Sequence, residues 1–299
     1  MVSTQMVLTP KQIAQRGTFL VKEVGSSVHG TNLEGVDDLD LMGVCFQPPT
    51  YLLGLQHFEQ YIYRTAEERA KFTPDEDQRK AGRQPPSQPG DTDLVIYSVQ
   101  KYLKLALSGN PSVLVFLFSP KRHPEFEMMS FDSGFRARNW RFTFENLAEA
   151  IASKQAGVKF LGYLLAQKER MLGMRGQMRV TRQALVDLYG YDTKYAMQAL
   201  RLGLQGIEFM QTGRIQLPMP ELVAESLKMV RRGEMTLSEI IEWINKLEED
   251  LKSAIDDSIL PKNPNYKVVN DWLATAQLEF FEWLREAESQ PQEYLAKLP

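Results

Sequence analysis

The hydrophobic pattern of the chain changes about two-fifths of the way along. Up to about residue 120, short β-prone apolar runs are interleaved with helical patterns, whereas beyond Lys121 strand signals largely disappear. Thr9-Pro10 reads as the N-cap and first position of a short helix running toward Gly17. Thr18 to Val24 is β-prone and ends in a Gly-Ser turn, after which Ser26 to Gly30 has room for a short helix. Leu39 to Phe46 predicts a second strand, stopped by Pro48-Pro49, and Leu52 to Thr65 reads as a helix or a mixed apolar segment. From Glu67 to Gly90 the composition turns charged and then Pro/Gln-rich, which predicts a long mobile loop. Strand character resumes at Asp93 to Ile96. It passes into an amphipathic helix, Tyr97 to Leu107, with Val99, Tyr102, Leu103 and Leu107 on one stripe, followed by an apolar segment from Ser112 to Phe118.

The C-terminal pattern is helical. Expected helices cover Asn146 to Met171 with mild breaks at Gly157 and Gly162, then Thr181 to Leu188, Thr193 to Phe209, Glu221 to Arg232, Thr236 to Ile255 and Tyr266 to Ala287. No internal repeat or sustained heptad is present. The expected class is α+β: a mixed sheet with helices over residues 1–120, followed by an all-helical domain over 121–299.

With 299 residues, 43% of them hydrophobic, the chain can bury a substantial core. A formal net charge of -3 gives no overall bias toward nucleic acid, although a local basic surface is compatible with it. The single Cys45 excludes an internal disulfide framework and a cysteine-based zinc site, and between Val44 and Phe46 it reads as a buried thiol. Neither a signal peptide nor an apolar run of roughly 18–20 residues is visible, so a cytoplasmic protein is expected.

The chemistry-bearing feature is Gly25-Ser26-Ser27 followed twelve residues on by Asp37-Asp38-Leu39-Asp40-Leu41. A Gly-Ser turn can hold phosphate oxygens through backbone N–H groups and a hydroxyl. Carboxylates at i and i+2 on a strand share one face and can grip a hard divalent ion, Mg2+ or Mn2+, beside those phosphates. Asp93 opens the next convincing strand and is the candidate third carboxylate, with Asp91 as the alternative. An isolated Asp-x-Asp also caps turns at strand starts, so the pair alone leaves both readings open. The segment lacks the spacing of a calcium loop, and a sugar-transferase Asp-x-Asp does not require a Gly-Ser turn upstream.

These residues resemble the DNA polymerase β-like nucleotidyltransferase superfamily, marked by Gly-Ser, a spacer, then Asp-x-Asp on a strand. Within it the chain is similar to the predicted nucleotidyltransferases associated with RNA-repair gene clusters. The likeness is carried by Gly25-Ser26 with Gly30, Asp38 to Val44, Asp93 to Leu103, Gly109 to Leu114, Tyr191 to Arg201 and Thr212 to Pro218. Two departures stand out: Asp37 replaces a frequent Ser, and the spacer is a residue longer. The resemblance implies a polymerase β-like mixed sheet with helices on one side, metals at Asp38, Asp40 and Asp93, and Ser26 at the β/γ phosphates. It also implies transfer of a nucleoside monophosphate from an NTP to a hydroxyl, with release of pyrophosphate. An RNA 3′ end is the first expected acceptor. A protein AMP-transferase and a silent nucleotide- or partner-binding module are the alternatives.

Lys194 and Arg201 lie seven apart, two helical turns, so both can face one side of a helix. The resemblance makes them the triphosphate clamp, while a solvated basic face is the competing reading. Arg136, Arg138, Arg141, Lys154 and Lys159, interleaved with Phe135, Trp140 and Phe142, read as a nucleic-acid face or as a buried edge carrying exposed arginines. Arg170, Arg175, Arg179 and Arg182 flank a Gly/Met-rich turn. His29 falls inside the Gly-Ser region, placed either to contact nucleotide or to pack. No nucleophile–histidine arrangement is readable.

Overall fold

The computed structural model describes residues 7–33, 35, 37–72, 88–127, 135–173 and 182–287. The chain opens with α1 (Pro10–Gly17), whose N-terminus is closed by a reciprocal capping box between Thr9 and Gln12. It enters β1 (Thr18–Glu23), turns through Gly25 into the single-turn α2 (Ser26–His29), and returns along β2 (Leu39–Cys45). After α3 (Pro49–Leu52) come β3 (Gln60–Arg64), α4 (Thr65–Phe72), β4 (Thr92–Ser98), α5 (Val99–Leu107) and α6 (Pro111–Phe118). The rest is helical: a 3-10 turn (Pro124–Phe126), then α7 (Phe135–Glu145), α8 (Leu147–Ile151), α9 (Lys154–Met171) and α10 (Gln183–Tyr189). The last four are α11 (Thr193–Thr212), α12 (Glu221–Arg232), α13 (Leu237–Asp257) and α14 (Tyr266–Ala287).

The four strands form one mixed sheet in the order β1-β2-β4-β3. β2 and β4 are parallel at its centre, with Asp40 opposite Asp93, and both outer strands run antiparallel to their neighbours. Alternation along β2 sends Met42 and Val44 into the larger core with the C-terminal helices, and Leu41 and Cys45 into a smaller core with Ile13, Tyr51 and Phe58. Asp40 shares parity with Met42 and Val44, so it stands on the face turned toward the helices. Helices were expected on one side of the sheet; α1 and α3 in fact cover the second face as well.

The sheet and the C-terminal helices share a core. Phe46 stacks on Phe280 of α14 at 5.2 Å and meets Trp140 of α7 edge-on at 5.1 Å, while Gln277 donates to the carbonyl of Gln47 at 2.9 Å. α9, α11 and α13 meet through glycines: a Cβ at Gly203 or Gly206 would lie 2.9 Å from the side chain of Leu164 or Phe160. Among the described residues, no helix is long and apolar enough to cross a membrane.

Two expectations change, and two segments left open are resolved. The segment between Leu52 and Thr65, read as a helix or a mixed apolar run, contains edge strand β3, whose Tyr-Ile-Tyr run pairs with β4. The expected loop from Glu67 begins inside α4, which continues to Phe72, and residues 73–87 lie outside those described. Ser112 to Phe118 is helical, started by Asn110, whose side chain accepts from Ser112 N, and by Pro111. The long helix after Asn146 breaks at extended Ser153, and not at Gly157 or Gly162, which lie within α9. Gly157 stays helical because Met210 and Ile255 occupy the space a side chain would take.

Candidate active site

Gly25 is the N-cap residue of α2, with φ -81 and ψ -158, an extended backbone that any residue adopts. Space, not conformation, demands glycine here: a Cβ would lie 2.6 Å from Asp40 Cβ and 2.8 Å from Asp40 Cγ, overlapping the carboxylate. The turn and the acid are therefore in direct contact. Ser27 donates to Glu23 Oε2 at 2.7 Å, which fixes the turn to β1, and Glu23 is in turn held by Lys121 and His123 at 3.1 Å. The neighbouring Ser26 hydroxyl makes no hydrogen bond among the described residues, and its side chain is only half-buried.

Asp38 immediately precedes β2, Asp40 is its second residue, and the parallel register sets Asp93 beside Asp40. One carboxylate oxygen from each of the three lies within 4.8 Å of the others. Three acids this close repel one another, and burial followed by the charges of Asp38 and Asp93 pushes Asp40 up from 3.8 to about 6. Asp93 is also raised, mainly by burial, against the pull of Arg64, whose Nε lies 3.7 Å from Asp93 Oδ2. Asp93 Oδ1 is buried with no hydrogen-bond partner among the described residues. An orphaned carboxylate oxygen among mutually repelling acids is the donor set of a hard divalent cation.

The positive side comes from α11 and α12. Asp192 caps α11 by accepting from Lys194 N and Tyr195 N, and pairs with Arg182 at 3.0 Å. Lys194, in the first turn, is held below its ordinary pKa by burial and by Arg231 and Arg182, while Asp38 and Asp37 favour its charge. Its ammonium has no ion-pair partner among the described residues. Arg201, about 10 Å further along the same helix, places Nη1 3.1 Å from His29 Nε2 and donates to Gln205 Oε1 at 2.8 Å. Gln205 Nε2 lies 3.1 Å from His29 Nδ1. Arg201 likewise has no carboxylate partner among the described residues, and burial lowers its pKa to about 10. Burial and this guanidinium hold His29 well below its usual range, so the imidazole is neutral. A desolvated cation without a counter-ion is costly; two of them on one helix beside the turn and the acids fit an anionic ligand.

The structure thus gathers Gly25, Asp38, Asp40, Asp93 and Lys194, with Ser26 on the same turn. Arg201 is tied to the end of that turn through His29. The candidates left open fall elsewhere. Asp91 is buried and accepts from Gln88 N, and Asp37 accepts from Leu33 N and from Arg231. Among the basic–aromatic stretch, Arg141 is buried against Glu127 at 2.7 Å, so it is not exposed, and Lys154 donates to the carbonyl of Asp256. The side chains of Phe135, Arg136 and Arg138, together with Arg175 and Arg179, lie outside the described residues. Sequence reasoning missed Arg231 and Arg64, which carry no motif: one lies in the last turn of a helix thirty-seven residues past Lys194, the other ends a strand within a segment whose type was left open.

A family model for the RNA repair pathway DNA polymerase beta family matches residues 11–275. No curated protein and no solved structure matches.

Proposed function

The chain belongs to the RNA repair pathway DNA polymerase beta family, and from that premise we propose that it transfers a nucleoside monophosphate from an NTP to the 3′ hydroxyl of an RNA, releasing pyrophosphate. One observation supports this reading above the others. The acid trio touches a turn that tolerates only glycine, and Lys194 and Arg201, which have no carboxylate partner among the described residues, stand on one helix, with Arg201 on His29 at the end of that turn. Acids alone suit a metal and cations alone suit an anion; opposed across a Gly-Ser turn, they suit a metal-bound triphosphate.

Asp38, Asp40 and Asp93 would hold the divalent ions, Mg2+ or Mn2+. Bound ions supply charge neutralisation at the phosphates and acidify an attacking hydroxyl. The chain itself contributes positioning. The α2 N-terminus and Ser26 hydroxyl hold phosphate oxygens, Lys194 adds a positive charge on the metal side, and Arg201 fixes the far end of the turn and contributes its charge there. Labour divides at about residue 120: the sheet region carries turn and acids, and residues 121–299 supply the cations.

The acceptor is tested by offering a labelled NTP and Mg2+ or Mn2+ with RNA ending in a 3′ hydroxyl, a 3′ phosphate or a 3′ deoxy terminus. Label on the first RNA alone is the expected result. Label in a protease-sensitive band identifies a protein acceptor instead. NTP binding without metal dependence or transfer identifies a silent nucleotide-binding module.

A further inference from the structure

The spacer between the phosphate turn and the metal acids is braced by α12. At its start, Gly30 lies against the connector and α12: a Cβ there would sit 3.4 Å from Pro218 Cβ and 3.8 Å from Ala224 Cβ, and the carbonyl of His29 accepts from Met219 N. At its end, Asp37 Oδ2 accepts from Leu33 N at 2.7 Å, and Oδ1 accepts from Arg231 Nη2 at 3.1 Å. Ala224 and Arg231 stand seven residues apart on α12, two turns or about 10 Å. One helix therefore meets the spacer at both ends.

The Asp37–Arg231 pair is nearly buried, with both side chains 9% exposed. A pair this desolvated adds little net stability over apolar packing, yet breaking it is costly, so it fixes geometry. Asp37 sits one residue before Asp38.

We propose that the Asp37–Arg231 pair is a catch by which α12 sets the separation between the Gly25-Ser26 turn and the Asp38/Asp40/Asp93 cluster, making Arg231 a positioning residue and Asp37 its anchor and not a metal ligand. This rests on the nucleotidyltransferase reading. The β2–β4 register holds Asp40 beside Asp93, and the bond from Leu39 N to the carbonyl of Asp91 fixes the strand start next to Asp38, so metal alone binds without the catch. A triphosphate has to meet turn and acids together, so it senses their separation. Electrostatics alone predict something different: removing Asp37 from beside Lys194 would strengthen an anion's binding, and removing Arg231 would weaken it. The catch predicts that both removals weaken it.

The test measures Mn2+ binding without nucleotide, by electron paramagnetic resonance, and the affinity of a non-hydrolysable NTP analogue with Mn2+, on the full chain. Variants are Asp37→Asn, Arg231→Met, the double substitution and Arg231→Lys, with Asp38→Asn as the metal-ligand control. Circular dichroism establishes that each is folded. Both single variants should lose analogue affinity by ~10-fold with Mn2+ affinity unchanged. The double should be no worse than either single, and Arg231→Lys, which keeps the charge against Asp37, should recover most of the loss. Tighter analogue binding in Asp37→Asn, fully additive losses, or loss of Mn2+ affinity like that of Asp38→Asn would each overturn the catch. Single variants that fail to fold leave the decision to Arg231→Lys and the double: an Arg231→Lys protein that binds the analogue worse than the double overturns the proposal. A wild-type chain that binds Mn2+ but no analogue overturns the nucleotidyltransferase reading itself.

Discussion

Asp40 is where the constraints on this site meet, since it touches Gly25, faces Asp93 across the ladder and lies two residues from Asp38. Its native pKa of about 6 stands above the ordinary 3.8, so the folded chain binds that proton more tightly than the unfolded one. Without metal, stability therefore falls as pH rises from about 4 to about 6 and is flat above. Asp40→Asn should raise the thermal midpoint of the chelator-treated protein at pH 7.5, by a stability gain of about 1–3 kcal/mol, and the gain should vanish near pH 4. Equal midpoints at pH 7.5 would show that the acids do not repel as the geometry requires. The same substitution should abolish transfer, since removing a metal carboxylate forfeits several kcal/mol, on the order of 10³-fold in rate. Gly25→Ala pushes a methyl into the Asp40 carboxylate. It should cut Mn2+ affinity at least ~10-fold with unchanged circular dichroism, and unaltered Mn2+ titration would refute the contact.

At the scale of elements, the strongest claims concern helices that meet through glycine. Gly206→Ala gains helix propensity worth about 1 kcal/mol but drives a Cβ against Phe160 Cβ and Leu251. The net expectation is a loss of ~1–2 kcal/mol, read from a denaturant midpoint. Elements were legible in the sequence where local signals agree. Thr9-Pro10, Asp192 before α11, and the Thr236/Glu239 capping box mark helix starts, and α12 and α14 have the bounds expected from their periodicity. The metal candidates were legible because turn, strand and carboxylate spacing are local, and the β2–β4 register then brings Asp93 to Asp40. What escaped is non-local. β3 is an edge strand whose half-buried aromatics carry no clean alternation, so its identity comes from pairing with β4. Arg231 reaches Asp37 across 194 positions, a contact no window of sequence contains.

Taken whole, the molecule folds its last helix back onto its first strands. Phe280 of α14 stacks on Phe46, Trp140 donates to Glu279, and Gln277 reaches Gln47. Deleting residues 266–299 should therefore expose Phe46 and Trp140 and replace one sharp calorimetric transition with a broad one. A truncated chain with the full-length transition would refute this closure. Glu127, fully buried, receives Arg122 and Arg141 and ties α7 to the sheet region through Val21 N. Glu127→Ala removes the buried carboxylate that accepts from both arginines and should cost about 3–5 kcal/mol by urea titration.

We propose metal-dependent nucleotidyl transfer through Asp38, Asp40 and Asp93. Its most direct test is release of labelled pyrophosphate from an NTP, with Mn2+ or Mg2+ and an RNA bearing a 3′ hydroxyl, by the wild-type chain and by Asp38→Ala/Asp40→Ala. Pyrophosphate and extended RNA are expected in equal amounts from the wild type, neither with chelator, and neither from the variant. Undiminished release by the variant would contradict it.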